Sequence, residues 1–301
     1  MQPETIAIIT PLFNEEKNIP KFIKNLDQQT NKNFNVYFID DGSTDSTLEI
    51  LYKHLRTVDI NYTILTQKNS GAAEARYNGI NNAKENYCLI VDCDDAISKN
   101  MIENILKVIY TSESKIDTII FDVLMQEENN KYKPLCYFDN KRNLFTGLEC
   151  LENSIGGWKV SGLMCSKKDI FLKSYELYYN LNTNKENFIN NDEIITRLNF
   201  LHSKEVQKIK SIYYYNYNNN STTRKINTNR CLLINNAVIL HKLLANHSIK
   251  EKTNKELFIT LYSTAKYLKK NKKHITDKNK WISTLNDGCR YIFETKILSQ
   301  Q

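Results

Sequence analysis

The stretch that most constrains this chain is Tyr87-Cys88-Leu89-Ile90-Val91, five apolar residues that run directly into Asp92-Cys93-Asp94-Asp95. Lys84-Glu85-Asn86 precedes it and Ser98-Lys99-Asn100 follows. The interval is too short for a helix and suits a strand buried on both faces. Its carboxylates then emerge together at the strand's C-terminal end, the edge where open α/β sheets bind ligands. Three like charges so close repel one another unless a cation offsets them. Carboxylate oxygens suit Mg²⁺ or Mn²⁺, and a site with so few of them leaves coordination positions for phosphate oxygens. The competing reading, a helix cap by Asp95 or Ser98, occupies one acid and leaves two idle.

The chain before it repeats the pattern. Ile6 to Ile9 reads as a buried strand broken by Pro11, with Leu12-Phe13-Asn14-Glu15-Glu16 as its loop, and Ile19, Phe22, Ile23 and Leu26 recur at helical spacing. Phe34 to Ile39 is a second buried strand, ending in Asp40-Asp41-Gly42-Ser43-Thr44-Asp45. There Gly42 permits a tight turn, and Ser43, Thr44 or Asp45 can cap the helix through Leu48, Leu51 and Leu55. A strand over Tyr62 to Leu65, helices over Gly71 to Asn82 and Met101 to Tyr110, and a strand over Asp117 to Met125 continue the alternation. The expected class is α/β, a mixed, mostly parallel sheet covered by helices. Further on, Thr146-Gly147-Leu148-Glu149 fits a capping box and a helix runs from Asp192 to Ser203. Short strands are expected at Val206 to Ile209 and Ile212 to Tyr217, then a Lys-rich helical extension over 225–301.

With 301 residues and 41% hydrophobic content, the chain can bury a large core and carry an extension. Its charge is uneven. Residues 201–301 hold 19 Lys+Arg and 6 Asp+Glu, a balance of +13, and the remaining 22 and 28 leave residues 1–200 at −6. The basic third suits an anionic membrane surface, an acidic substrate or a solvated face; no recognised motif accompanies the charge, which argues against nucleic acid. Seven cysteines with no CxxC pair read as reduced thiols, and neither an export signal nor a membrane span is visible, so a cytoplasmic location is expected. No G-x-G-x-x-G follows the first strand and no P-loop occurs, so metal and side chains must hold any phosphate.

Four stretches resemble glycosyltransferase family 2, whose members are inverting nucleotide-sugar transferases of the GT-A fold. They are Ile9 to Glu16, Ile39 to Thr47, Asn69-Ser70-Gly71 with Ala75 to Gly79, and Val91 to Asp95, in the family's order over residues 5 to about 110. The resemblance implies a nucleotide-sugar-binding half over 1–110, an acceptor-binding half over 111–224 and the basic extension beyond. It implies a UDP-sugar donor held by Pro11, Phe13, Asn14, Glu15, Asp41, Arg76, Asp92 and Cys93. Phe13 would stack on the base, Asp41 accept its N3–H and Asp92 reach the ribose. Asp94, with Asp95, would hold Mn²⁺ or Mg²⁺ on the diphosphate. The bland alternatives are a core position for Phe13 and a helix-surface ion pair for Arg76.

In the acceptor half the family carries a Glu-Asp pair whose Asp is the general base. Asn190-Asn191-Asp192-Glu193 stands there, leaving Asp192 as the base and Glu193 as its rival, against a helix-capping role for Asp192. Trp158 resembles an aromatic that lines the acceptor site, and Tyr213 to Tyr217 and Ser221-Thr222-Thr223-Arg224 resemble segments that follow the base. The implied reaction moves a hexose or N-acetylhexosamine to a hydroxyl of a saccharide acceptor, lipid-linked and part of a growing surface glycan. Two other classes compete: a haloacid-dehalogenase-like phosphatase, which wants Thr where Ala96 stands, and a non-catalytic sugar-binding module. Leu232, Leu233, Leu243, Leu244 and Tyr267 beside the lysines of the extension fit a face on the inner leaflet of the membrane, an internal core or a homodimer seam.

Overall fold

Two hydrophobic periods alternate through the first 125 residues, and each forms the element it predicts. The computed structural model describes residues 4–112, 116–136, 138, 141–182, 191–216 and 226–298. In chain order these form β1 (Ile6–Leu12), α1 (Ile19–Asp27), β2 (Phe34–Asp40), α2 (Thr47–Leu55), β3 (Asn61–Thr66), α3 (Ala72–Asn82) and β4 (Tyr87–Ile90). There follow β5 (Ala96–Ile97), α4 (Met101–Thr111), β6 (Thr118–Gln126), β7 (Tyr132–Pro134), β8 (Leu144–Thr146), α5 (Gly147–Ser154) and β9 (Met164–Lys167). The remaining elements are α6 (Lys168–Leu181), α7 (Asn191–His202), β10 (Glu205–Tyr215), α8 (Leu233–Leu243), α9 (Lys250–Asn271) and α10 (Lys278–Leu298).

The sheet runs β3-β2-β1-β4-β9-β6-β10-β5, with β7 beside β6 and β8 beside β10. β3, β2, β1 and β4 are parallel, and the β1 register sets Leu12 opposite Asp40 and Ile9 opposite Ile90. The segments leaving β1, β2 and β4 therefore emerge side by side at one edge. Ile6, Ile8, Phe34, Val36 and Leu89 are buried in one continuous core with Phe22, Leu51 and Ile105 from the covering helices, which is why these strands read as unbroken apolar runs.

The second half departs from expectation. One long β10 replaces the two short strands, with its register to β6 shifting between Lys208 and Ile212. The break expected between them is thus an irregularity in a continuous strand. β9 and α6 lack an expected counterpart: β9 inserts antiparallel between β4 and β6 and buries Ser166 against Thr118 Oγ1 at 2.6 Å, so polar residues mask its strand pattern.

The capping box forms. The Thr146 N–H donates to Glu149 Oε2 at 2.8 Å and the Glu149 N–H donates back to Thr146 Oγ1 at 3.2 Å. Beside it, a Cβ on Gly147 would collide with the carbonyl oxygens of Phe200 and Ser203 at the end of α7. Backbone cannot give way as a flexible side chain does. Gly147→Ala is expected to lower the unfolding free energy by about 3 kcal/mol, read by urea denaturation; a loss below about 1 kcal/mol would show that α7 yields.

By contacts the chain divides into two compact units. The first comprises Met1–Ser154, Trp158–Tyr178 and Ile195–Asn218, and the second Ile155–Gly157, Tyr179–Ile194 and Asn219–Gln301. The second unit has its own core, with Ile234, Leu257 and Leu261 buried and Leu285 and Ile292 packed on them. Leu232 and Leu244 are buried, Leu233 and Leu243 are half-buried, and Tyr267 stacks on the buried Trp281 at 5.8 Å. These residues serve the interior. Among the described residues no helix is long and apolar enough to cross a membrane.

Candidate active site

The site is assembled by polar contacts between loops. Asn14 takes the left-handed conformation, with φ +58°, which Asn tolerates better than most residues. Its Oδ1 accepts from the Thr44 N–H at 2.8 Å and its N–H donates to Ser43 Oγ at 3.0 Å. The Glu15 N–H donates to Thr47 Oγ1 at 2.7 Å, and Glu16 N–H to Asp45 Oδ2 at 3.3 Å. The Pro11 to Glu16 loop is thus latched to the turn after β2. Neither Ser43, Thr44 nor Asp45 is the N-cap of α2; Ser46 holds that position without a side-chain bond.

Asp41 latches the next loop. Its Oδ1 accepts from Gln67 Nε2 and the Ser70 N–H, both at 2.8 Å, and its Oδ2 from the Gly71 N–H at 2.8 Å. It is 2% exposed. Three of the roughly four acceptor positions of a carboxylate are filled, and Asp41 also lines a cleft. The loop it fixes leads into α3, where Arg76 Nη2 donates to both carboxylate oxygens of Asp92, at 2.8 and 3.0 Å. Arg76 thereby braces the acidic loop.

Asp95 turns away from that loop. Tyr213 Oη donates to its Oδ2 at 2.8 Å and the Asn216 N–H to its Oδ1 at 2.8 Å, and it is 4% exposed. Burial, then the charges of Asp92 and Asp94, push its pKa up to about 8. Expected beside Asp94 on a metal, Asp95 does not line the cleft that Asp94 lines, and one donor on each of its oxygens ties it to Tyr213 and Asn216. Tyr213 Oη also accepts from the Asp92 N–H at 3.2 Å, Asn216 Nδ2 donates to the Asp94 carbonyl at 2.9 Å, and Tyr132 Oη donates to Asn216 Oδ1 at 2.6 Å. Tyr213, Asn216 and Tyr132 were not among the expected site residues; the run of tyrosines from Tyr213 was the available signal.

Of the expected donor residues, Pro11, Phe13, Glu15, Asp41, Arg76, Asp92 and Cys93 line one cleft of about 180 Å³ together with Asp94. Leu12 and Ala72 complete it, while Asn14 stands behind as a latch. The Phe13 ring is 46% exposed, which rules out the core position. Burial raises the Glu15 pKa to about 7, against a lowering hydrogen bond from Asn18 and with repulsion from Asp94, Asp92 and Asp45. Burial likewise pushes the Cys93 thiol up, so it is a neutral wall residue and not a nucleophile. Larger cavities exist in the helical unit, but this cleft gathers the acids.

Among the described residues no three His, Cys, Asp or Glu side chains stand close enough to hold a metal by themselves. The donor chemistry fits a cation that takes one or two carboxylates from protein and the rest of its shell from phosphate and water, the usual habit of Mg²⁺.

The residues expected to serve the acceptor are not among those lining the cleft. Trp158 is half-buried under the Arg197 guanidinium, 4.8 Å above its ring, and does not line the donor cleft. Asp192 and Glu193 occupy the first turn of α7. Asp192 is its second residue and exposed, past the capping position, and Glu193 is half-buried. Asn190, Tyr217 and Ser221 to Arg224 lie outside the described residues.

Comparison with known proteins meets this geometry. The family model described as "Glycosyl transferase family 2" matches residues 7–161. The chain is 27% identical over 224 residues to Glycosyltransferase GlyG of Streptococcus pneumoniae serotype 4, covering 73% of each. It is 28% identical over 220 residues to the Cholesterol galactosyltransferase of Borreliella burgdorferi, covering 70% of this chain and 60% of that one. The crystal structure of S. aureus TarS 1-349 superposes with a TM-score of 0.67 at 18% identity, covering 96% of this chain and 81% of that chain; TarS has also been crystallised with UDP-GlcNAc. A phosphatase loop belongs on a first strand, whereas these acids follow the fourth strand, β4, so the haloacid dehalogenase reading falls, and the family match with its glycosyltransferase relatives displaces the non-catalytic module. The chain belongs to glycosyltransferase family 2, with the GT-A fold, and is a glycosyltransferase.

Proposed function

We propose that the chain transfers a hexose or N-acetylhexosamine from a UDP-sugar to a hydroxyl of a saccharide acceptor, with inversion. The observation that carries this is the convergence of Phe13, Asp41, Arg76, Asp92 and Asp94 from three strand ends and one helix on a single cleft. The exposed Phe13 ring offers a stacking face for uracil. The remaining acceptor position of Asp41 suits the N3–H of that base, and Asp92, held by Arg76, is the carboxylate for the ribose. Asp94 is the ligand for Mn²⁺ or Mg²⁺, which when bound would offset the charge developing on the departing UDP. Asp192 takes the proton of the acceptor hydroxyl as its oxygen attacks the anomeric carbon and the bond from that carbon to the diphosphate breaks. The acceptor we assign is a lipid-linked glycan, such as a growing lipopolysaccharide, capsule or O-antigen chain, met at the cytoplasmic face of the membrane.

A screen of nucleotide-sugars for hydrolysis and transfer with Mn²⁺ tests the reading and names the sugar. Calorimetry should give UDP at least about tenfold tighter binding than GDP or ADP, because a purine stacked on Phe13 carries its N–H donors at other positions than the N3–H of uracil and leaves the Asp41 carboxylate buried and short of a partner, worth about 1–3 kcal/mol. Asp41→Ala should lose UDP affinity and also stability, since it frees Gln67, Ser70 and Gly71. Equal affinities for the three nucleotides would overturn the uracil assignment.

A further inference from the structure

The helix α9 has two unlike faces. Thr253, Leu257, Leu261 and Thr264 are buried in its own unit. On the opposite side Phe258, Ile259 and Tyr262 are 46%, 56% and 72% exposed. Lys255, Ile259, Tyr262, Lys266 and Lys269 follow one another at alternating steps of four and three residues and are all exposed, so they form one continuous stripe along the helix. The apolar middle of that stripe is bracketed by lysines at both ends. Beside Phe258 a cavity of about 410 Å³ is lined by Lys250, Lys252 and Lys255, with Glu251 as the acid on its rim. The polar groups of His241, which also lines it, are already satisfied by Asn254 Oδ1 at 2.6 Å and Tyr291 Oη at 2.8 Å.

We propose that this face of α9 docks on an anionic lipid surface, with Phe258, Ile259 and Tyr262 entering the headgroup boundary and the flanking lysines pairing with lipid phosphates. Charge complementarity chooses this occupant. A helix lying in the membrane interface needs apolar and aromatic side chains on one side and long cationic ones that reach the headgroups around them. A two-fold dimer through the same face would bring Lys255 and Lys266 or Lys269 of one copy toward those of the other, like charge against like. A solvated, purely Lys-rich face, the bland alternative for this region, does not account for Ile259 and Tyr262 exposed at its centre with Phe258 beside them. The proposal rests on the lipid-linked acceptor only for its purpose; docking itself is independent of the donor site.

The test is flotation of the full chain with vesicles of phosphatidylcholine alone and of phosphatidylcholine mixed with phosphatidylglycerol. Binding is expected to the anionic vesicles only and to fall as salt rises. Combined Phe258→Ser, Ile259→Ser and Tyr262→Ser, and separately Lys255→Glu, Lys266→Glu and Lys269→Glu, should each weaken it roughly tenfold or more. Tyr262→Trp should be quenched by brominated lipid. Donor hydrolysis, measured without vesicles, should stay within about twofold of the parent in all variants, which keeps a failure here distinct from a failure of the transferase reading. No binding, equal binding to both vesicle types or binding indifferent to these variants overturns the proposal, as does a parent that sediments as a dimer and a serine variant that sediments as a monomer.

Discussion

Asp94→Ala is expected to lower sugar transfer by about 10²–10³-fold in the presence of Mn²⁺, with chelator doing the same to the parent. Removing an electrostatic partner of the developing charge costs about 3–4 kcal/mol, and each 1.36 kcal/mol is tenfold in rate. Asp94 lines the donor cleft, and its backbone is held by Asn216, so the alanine variant should keep the loop in place. The contrast is with its neighbour. Asp95→Ala removes the acceptor of Tyr213 and of the Asn216 N–H, and its first effect should appear in thermal unfolding. Asp92 is a third case, because Arg76 is its partner and its loss removes the carboxylate that braces the loop against α3. Transfer by Asp94→Ala at the parent rate, or full parent activity in excess EDTA, would remove the metal from the mechanism.

The difference between Asp94 and Asp95 marks what the sequence could and could not say. β1, β2 and β4 were legible because strands buried on both faces write themselves as unbroken apolar runs, and the acids at their ends follow from the direction of a parallel sheet. Which of two adjacent acids points outward is set by Tyr213 and Asn216, more than a hundred residues away, and nothing local to Asp92-Cys93-Asp94-Asp95 encodes it. Asp41 is similar: the motif marks it, but only the fold reveals that it holds the Gln67 to Gly71 loop. In α9 hydropathy does not mark the inner face. It buries Thr253 and Thr264 and exposes Phe258, Ile259 and Tyr262, so hydropathy alone assigns the wrong residues to the surface. α8 shows the remaining difficulty, since its apolar period is the same whether it faces a core, a membrane or a partner.

Asp192→Asn is expected to reduce transfer by at least about 10²-fold, the usual scale of general-base catalysis, while UDP affinity stays within about twofold. The substitution keeps the size of the side chain and its place in the first turn of α7, but an amide cannot take the acceptor proton. None of the residues lining the donor cleft comes from α7, which is why nucleotide binding should be spared. Glu193→Gln should be milder, because Glu193 is half-buried whereas Asp192 is exposed. Hydrolysis of the donor in the absence of acceptor separates base from fold: a misfolded variant loses UDP binding and hydrolysis together, whereas a variant lacking only the base keeps UDP binding and loses turnover. Full transfer by Asp192→Asn together with an inactive Glu193→Gln would exchange the two roles and make Glu193 the base.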